Sequence, residues 1–394
     1  MKIALIRQKF SRFGGAELYV GRLAARLADQ GHEVHILARE WPGAEAGGLV
    51  FHPIRAGGPS FLRLHDFARQ AAAIVARERF DVVHGFERTW SLDIFRAGDG
   101  CHREWLDRRA RAEGWSRKAL DRVNPRHQAF LNLEARLFSS PRLKIVLANS
   151  RLGRDEIMRH YGLGKDMVRV VYNGVDRDRF NPGLAEKYRA EVRAELGLAG
   201  DEPIGLFVGS GFARKGLAEI IRSLPRAELK VLVAGADRSG PYEKMAGKLG
   251  VKRKVVFLGP RTDVDRLYGA ADVFIQPSWY EPFSNACLEA LAAGLPVAIT
   301  RETGAAEAVR EGVNGYLLDF PVNPEELAEK ATRAARLDRT RVSRANQDIL
   351  APFSWEANLA RTLAAYEEIM GGRSIFSTGD PGEGKGDEWA NKSI

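Results

Sequence analysis

The stretch KIALIRQKFSRFGGAELYVGRLAARLADQGHEVHILA, residues 2–38, decides the fold. Its first five residues, KIALI, form an apolar run of strand length, and RQKFSRFGG reads as the loop that leaves it. From Ala16 to about Asp29 apolar residues recur at helical spacing, Gly31 supplies the stop, and EVHILA reads as a second strand. Strand, helix and strand in so short a span make a βαβ unit, with parallel strands and a helix over one face of the sheet.

The pattern continues outward. A helix near 64–80, strands in DVVHGF and DIFRAGD, a helical stretch ending near Ser140, then KIVLANS, a helix and VRVVYNG extend the same sheet. The segment NGVDRDRFNPG, 173–183, is rich in turn formers and reads as a linker. Beyond it PIGLFVGS, LKVLVAGA, KVVFLGP, DVFIQPS and PVAIT are short apolar strands separated by helical segments, which repeats the architecture without a short sequence repeat.

The expected fold class is therefore α/β, with two Rossmann-like, doubly wound domains facing a central cleft. Ligands in such sheets bind beyond the carboxyl ends of the strands. Residues 1–174 form the expected N-terminal domain and 175–351 the C-terminal one. A last helix over 352–370 is expected to pack back on the first domain. The polar, Gly-rich residues 371–394 are expected to be a disordered tail.

Bulk properties agree with two ordinary soluble domains: 394 residues, 45% hydrophobic and 28% charged, exceed what one core usually organises. Two cysteines, Cys101 and Cys287, lie far apart without metal-ligand spacing, which argues against a disulfide framework or a zinc site and fits a reducing cytosol. The opening MKIALIRQKF has too short an apolar run for a signal peptide, and no stretch approaches the roughly 20 apolar residues that span a bilayer. Lys and Arg total 60 against 51 Asp and Glu, a formal +9 that favours an anionic partner: nucleotide, nucleic acid or lipid headgroups.

A second stretch, WYEPFSNACLEALAAGLPV at 279–297, points to chemistry. Pro282 cannot donate a backbone hydrogen bond, so WYEPFS is the turn leaving the strand DVFIQPS. Ser284 and Asn285 are favoured caps for the helix that Gly294 and Pro296 end. Backbone N–H groups near Phe283, Ser284 and Asn285 carry the positive end of that helix and suit a phosphate. Glu281 precedes the helix, and Glu289, four residues after Asn285 on the same face, leans back toward its mouth. Carboxylates accept from paired hydroxyls, so a nucleoside diphosphate sugar fits, with ribose on Glu289, hexose on Glu281 and diphosphate between them. The other reading makes Glu281 a solvated turn residue and Glu289 an exposed helix charge.

Through these residues the sequence resembles the GT-B glycosyltransferases of the retaining family 4, whose E-x7-E signature corresponds to Glu281 and Glu289. Further matches follow in order: FGGAE, ANS at 148–150, VVYNGVDRDRF at 171–180, VGSGFARKG at 208–216, and FLGPRTDVDRLYGAADVFIQPS. Within the family, HGFERTWSLDIFRAGDGCHREWLDRR is most similar to the lipopolysaccharide core glucosyltransferase I group. That resemblance implies transfer of glucose from UDP-glucose onto an inner-core heptose, by an N-terminal domain that binds acceptor and a C-terminal one that binds the nucleotide sugar.

The resemblance also implies roles for single residues. Arg214 and Lys215 would neutralise the diphosphate. Gly14 and Gly15 would let the first loop approach sugar and phosphate, Gly209 would line the donor site, and Arg261 sits where the family holds the base. Many members carry a histidine near the reacting sugar where this chain has Asp99; His102 is close to it but out of register. A carboxylate at Asp99 could stabilise positive charge at the anomeric carbon or bind a sugar hydroxyl. Retention by front-face substitution is implied, the departing phosphate deprotonating the acceptor. No cofactor and no obligatory metal are expected. The Asp-x-Asp pairs Asp176/Asp178 and Asp263/Asp265 read as a linker motif and a helix start.

Residues 103–126 hold eight Arg or Lys and four acids around Trp105, Leu106, Trp115, Leu120 and Val123. Basic residues beside interfacial aromatics suit an anionic membrane, as a lipid-linked glycan acceptor would require, and a solvated helical hairpin is the other reading. The expectation is a cytoplasmic protein at the inner face of the inner membrane. Nucleic-acid binding finds no helix-turn-helix, zinc finger or RNP-type strand to support it. A nucleotide-sugar epimerase of the same fold remains the rival enzyme, and a phosphorylase lacks a matching pyridoxal phosphate segment.

Overall fold

The computed structural model describes residues 1–8, 15–42, 48–198 and 201–371. Contacts divide the chain into two compact units. The first comprises the described residues of Met1–Leu106, Ser116–Asn173 and Trp355–Ile394, the second Asp107–Trp115 and Gly174–Ser354.

The first unit opens with β1 (Lys2–Ile6), α1 (Gly15–Asp29), β2 (Glu33–Ala38), β3 (Val50–Pro53), α2 (Ser60–Arg77), β4 (Val82–Gly85) and β5 (Ile94–Ala97). Three helices follow, α3 (His102–Glu113), of which the part from Asp107 on is grouped with the second unit, α4 (Trp115–Val123), which belongs to the first from Ser116, and α5 (Pro125–Phe138), then β6 (Ile145–Ala148), α6 (Arg151–Tyr161) and β7 (Val168–Val170). The sheet runs β3-β2-β1-β4-β5-β6-β7 with every pair parallel. On α1 the buried residues Tyr19, Val20, Leu23, Ala24 and Leu27 follow the helical stripe and meet Ile3, Leu5 and Val34 in one core. The opposite face of the sheet buries Phe67, Ala71 and Val75 of α2 against Ile6 and Val83.

The second unit contains α7 (Leu184–Glu195), β8 (Ile204–Val208), α8 (Leu217–Ser223), β9 (Lys230–Ala234), α9 (Gly240–Lys248), β10 (Val255–Gly259) and α10 (Val264–Ala270). It continues with β11 (Val273–Gln276), α11 (Asn285–Ala292), β12 (Val297–Thr300), β13 (Gly315–Leu318), α12 (Pro324–Ala335) and α13 (Arg339–Ile349). Its parallel sheet runs β10-β9-β8-β11-β12-β13. The chain then returns to the first unit as α14 (Trp355–Ile369). There Tyr19 donates to Asn358 at 2.9 Å, Trp355 stacks on Tyr19, and Arg169 pairs with Glu368.

Three local expectations are corrected. The helix placed near 64–80 spans Ser60–Arg77, because Pro59 and the glycines before it free its start. The single helical stretch ending near Ser140 is three helices, broken at Gly114 (φ +89°) and at Asn124, which caps α5 ahead of Pro125. Strands β3 and β13, at the outer edges of the two sheets, were not singled out in the sequence. The expected tail lies outside the described residues from 372 onward.

Candidate functional site: two switch points

In both sheets the chain reverses its direction of winding between two neighbouring strands, β1 and β4 in the first unit, β8 and β11 in the second. Helices leave to opposite sides there, which opens a crevice at the carboxyl ends of the strands. Arg214, Lys215 and Glu281 stand at the second of these points and Asp99 at the first, whereas Arg261 follows the edge strand β10.

At the second unit's switch point, the loop after β8 carries Arg214 and Lys215, and the turn after β11 carries Glu281. Arg214 Nη1 and Lys215 Nζ lie 2.6 and 2.9 Å from the same oxygen, Glu281 Oε2, and Arg214 also donates to the Tyr280 carbonyl. Glu281 is 8% exposed, so the reading of a solvated turn residue fails. Burial pushes its carboxyl up, but Lys215 and Arg214 outweigh burial and hold it below the usual carboxylate range.

The β8 loop is clamped from three sides. Asp237, after β9, accepts from the backbone N–H groups of Gly211 and Phe212 at 2.9 and 2.7 Å. Trp279 N donates to the Arg214 carbonyl at 2.9 Å. Gly216 has φ +80°, and a Cβ there would stand 2.1 Å from the Pro277 carbonyl oxygen, so only glycine permits this approach. Gly209, at φ +130°, lies against the stem of Lys215.

Helix α11 begins at Asn285, as its cap residues suggest, and Phe283 stands just ahead of the cap. Ser284 is the N-cap, its Oγ accepting from Cys287 N at 3.2 Å while donating to Gln276 on β11. Phe283 stacks on Phe353, 6.1 Å between centroids. Glu289, one turn into the helix and partly buried, accepts from the Tyr268 hydroxyl at 3.0 Å. Burial, with the Glu289 charge beside it, raises the Tyr268 hydroxyl well above its ordinary value, so the phenol stays a donor. Arg261, after β10, is held in a two-pronged pair by Asp263 at 2.6 and 2.7 Å, and Asp263 also pairs with Arg266. The Arg261 guanidinium is thus occupied by a neighbouring carboxylate.

At the first unit's switch point, Asp99 follows β5 with its side chain 46% exposed, and Arg7, after β1, donates to it at 3.1 Å. Arg7 Nη1 also donates to the Phe86 carbonyl at 2.9 Å, and its Nε lies 3.5 Å from Glu87. Burial raises the Glu87 carboxyl, and Asp99 adds to this while Arg7 opposes it. The His102 ring packs against Phe130 and His127, and burial lowers its pKa to about 3. Gly15 is the first residue of α1, whereas Gly14 lies outside the described residues. Arg7, Glu87, Asp237 and Tyr268 were missed in the sequence; the first two stand immediately after strands that meet at a switch point, which was the available signal.

The fold and these two crevices define a two-domain, GT-B transferase architecture. Residues 13–179 match the model of Glycosyltransferase Family 4, and residues 189–348 that of Glycosyl transferases group 1. D-inositol 3-phosphate glycosyltransferase 2 of Catenulispora acidiphila is 30% identical, over 91% of this chain and 90% of its own. Lipopolysaccharide glucosyltransferase WaaG of Escherichia coli is 28% identical, over 85% and 89%. The crystal structure of WaaG superposes with a TM-score of 0.78 at 24% identity, covering 94% of this chain and all of that one. HepE of Anabaena, solved in complex with UDP-glucose, gives 0.69 at 22%, covering 93% of this chain and 100% of its own. The chain belongs to the GT-B glycosyltransferases of this family.

Proposed function

We propose that the protein is a retaining hexosyltransferase that moves glucose from UDP-glucose to a lipid-linked glycan, such as the heptose of lipopolysaccharide inner core. The observation that carries this reading is Glu281 held between Arg214 and Lys215 beside the N-terminus of α11. A diphosphate sugar divides that ion pair: its phosphates take the two cations and the helix N-terminus near Phe283, Ser284 and Asn285, while its hexose hydroxyls donate to Glu281. Glu289 takes the ribose, and the backbone near Arg261 takes the base. As the glycosidic bond breaks, charge develops on the leaving phosphate, where two preorganised cations are most effective.

Asp99 steadies the positive charge at the anomeric carbon, and the departing phosphate deprotonates the acceptor on the same face of the sugar. This front-face route needs no covalent intermediate; an adduct on Asp99 or Glu281, trapped with a slow donor, would contradict it. The reaction is metal-independent, so a chelator should leave turnover intact. The similarity to a lipopolysaccharide glucosyltransferase and to a structure holding UDP-glucose supports the choice of donor and acceptor class.

No helix among the described residues is long and apolar enough to cross a membrane. Helix α4 instead exposes Trp115, Leu120 and Val123 by 85, 62 and 77%, with exposed Lys118 and Arg122 beside them. That amphipathic face suits peripheral binding to anionic lipid at the cytoplasmic face of the inner membrane, where the acceptor would lie. The test of function is UDP release from UDP-glucose with and without a heptose-containing acceptor: release that depends on acceptor supports the transferase. Sugar interconversion without UDP release indicates an epimerase of the same fold instead.

A further inference from the structure

The backbone around Asp99 is anchored by buried polar side chains on both sides. The Gly98 carbonyl accepts from Asn149 Nδ2 at 3.0 Å, the Gly100 carbonyl from Arg88 Nη2 at 2.9 Å, and His102 N donates to Glu134 Oε1 at 2.7 Å. Asn149 and Glu134 are each 1% exposed and Arg88 9%, whereas the Asp99 side chain they surround is the open one. Arg88 Nε and Glu134 Oε1 form an ion pair at 2.8 Å, and Tyr161 donates to the other Glu134 oxygen at 2.7 Å. One carboxylate on α5 thus gathers an arginine from the loop after β4, a backbone N–H from the start of α3 and a phenol from α6.

A buried ion pair is poor at stabilising a fold, because desolvation consumes most of its attraction, and apolar residues of similar volume often do as well. It does fix geometry, since both partners lose far more if they separate. Arg88 reaches past Asp99 to the Gly100 carbonyl, and the Asp99 charge in turn helps keep its guanidinium ionised against burial. We propose that the Arg88–Glu134 pair is a positioning device for Asp99, holding the Gly98–His102 segment so that the Asp99 carboxylate stays aimed at the reacting sugar. The proposal rests on the reading that Asp99 acts there. Arg88 and Glu134 themselves are positioning residues that act through it.

The test is a double-mutant cycle of Glu134→Gln and Asp99→Asn, read as kcat, donor KM and melting temperature. Glutamine keeps the shape and can reverse the Tyr161 hydrogen bond, but it removes the charge that Arg88 answers. Glu134→Gln should lower kcat about tenfold or more, as small misplacements of a reacting group do, with donor KM nearly unchanged. In the Asp99→Asn background the same change should lower kcat no further, although the melting temperature drops equally in both. Equal kcat losses in the two backgrounds would overturn the proposal, as would full turnover by a folded Glu134→Gln enzyme. If Glu134→Gln does not fold, Arg88→Lys, which keeps the charge but not the reach to Gly100, takes its place with the same expectations. Full turnover by Asp99→Asn alone would remove the role of Asp99, and the positioning claim with it.

Discussion

The two switch points solve different electrostatic problems. In the second unit a buried carboxylate, Glu281, stands between two cations on one short loop, so the charges are mutually satisfied before any ligand arrives. In the first unit the carboxylate, Asp99, is half open and pairs with Arg7, while the Arg88–Glu134 ion pair lies among buried side chains. A ligand at the first kind of site must exchange partners with the protein. At the second, the backbone on either side of the carboxylate is anchored by buried side chains.

The largest effect that separates the two regions is on turnover. Lys215→Ala removes a cation aimed at the leaving phosphate and should lower kcat about 100- to 1,000-fold, measured by UDP release. Asp99→Asn keeps shape and loses charge; it should lower kcat about 10- to 100-fold and leave donor affinity unchanged. If Asp99→Asn weakened donor binding as much as Lys215→Ala, the division of labour between the two units would collapse.

Acid stability distinguishes the same regions on a smaller scale. Glu281 has a depressed pKa, so its unfolded form binds protons first: the stability it contributes is present above about 4.3 and lost as pH falls through its folded value. His102 is held neutral with a pKa of about 3, so its penalty begins when the unfolded chain protonates near 6.5 and grows down to that value. Thermal melts across pH should therefore show His102→Gln flattening the slope between about 6.5 and 4.5, where Glu281→Gln changes little. Glu281→Gln should act below that window. The smallest effect concerns α4: Lys118→Gln should weaken binding to anionic vesicles about fivefold and leave turnover on a soluble acceptor unchanged.

How much of this was legible in the sequence follows from how local each feature is. Strand KIALI, helix α1 and strand EVHILA are set by short-range apolar spacing and stand where the sequence places them. Ser284 as cap, and Glu281 and Glu289 on either side of it, were readable because the whole constellation fits within nine residues. The first unit's cluster draws on residues 7, 87, 88, 99 and 134, brought together by strand order and by a helix packed behind the sheet. No spacing rule spans such separations, and Glu134 looks like any helix glutamate until its burial is known. The edge strand β3, VFHP, is only partly buried and holds a histidine and a proline, so no continuous apolar run marks it.

Calorimetric titration of UDP-glucose into the wild-type protein and the Arg214→Ala and Lys215→Ala variants tests the donor site most directly. The account predicts saturable binding by the wild type and at least about tenfold weaker binding by either variant, since each loses a charge-assisted contact to the diphosphate. Unchanged affinity in both variants would mean that the nucleotide sugar is held elsewhere and that the Glu281 ion pairs are structural.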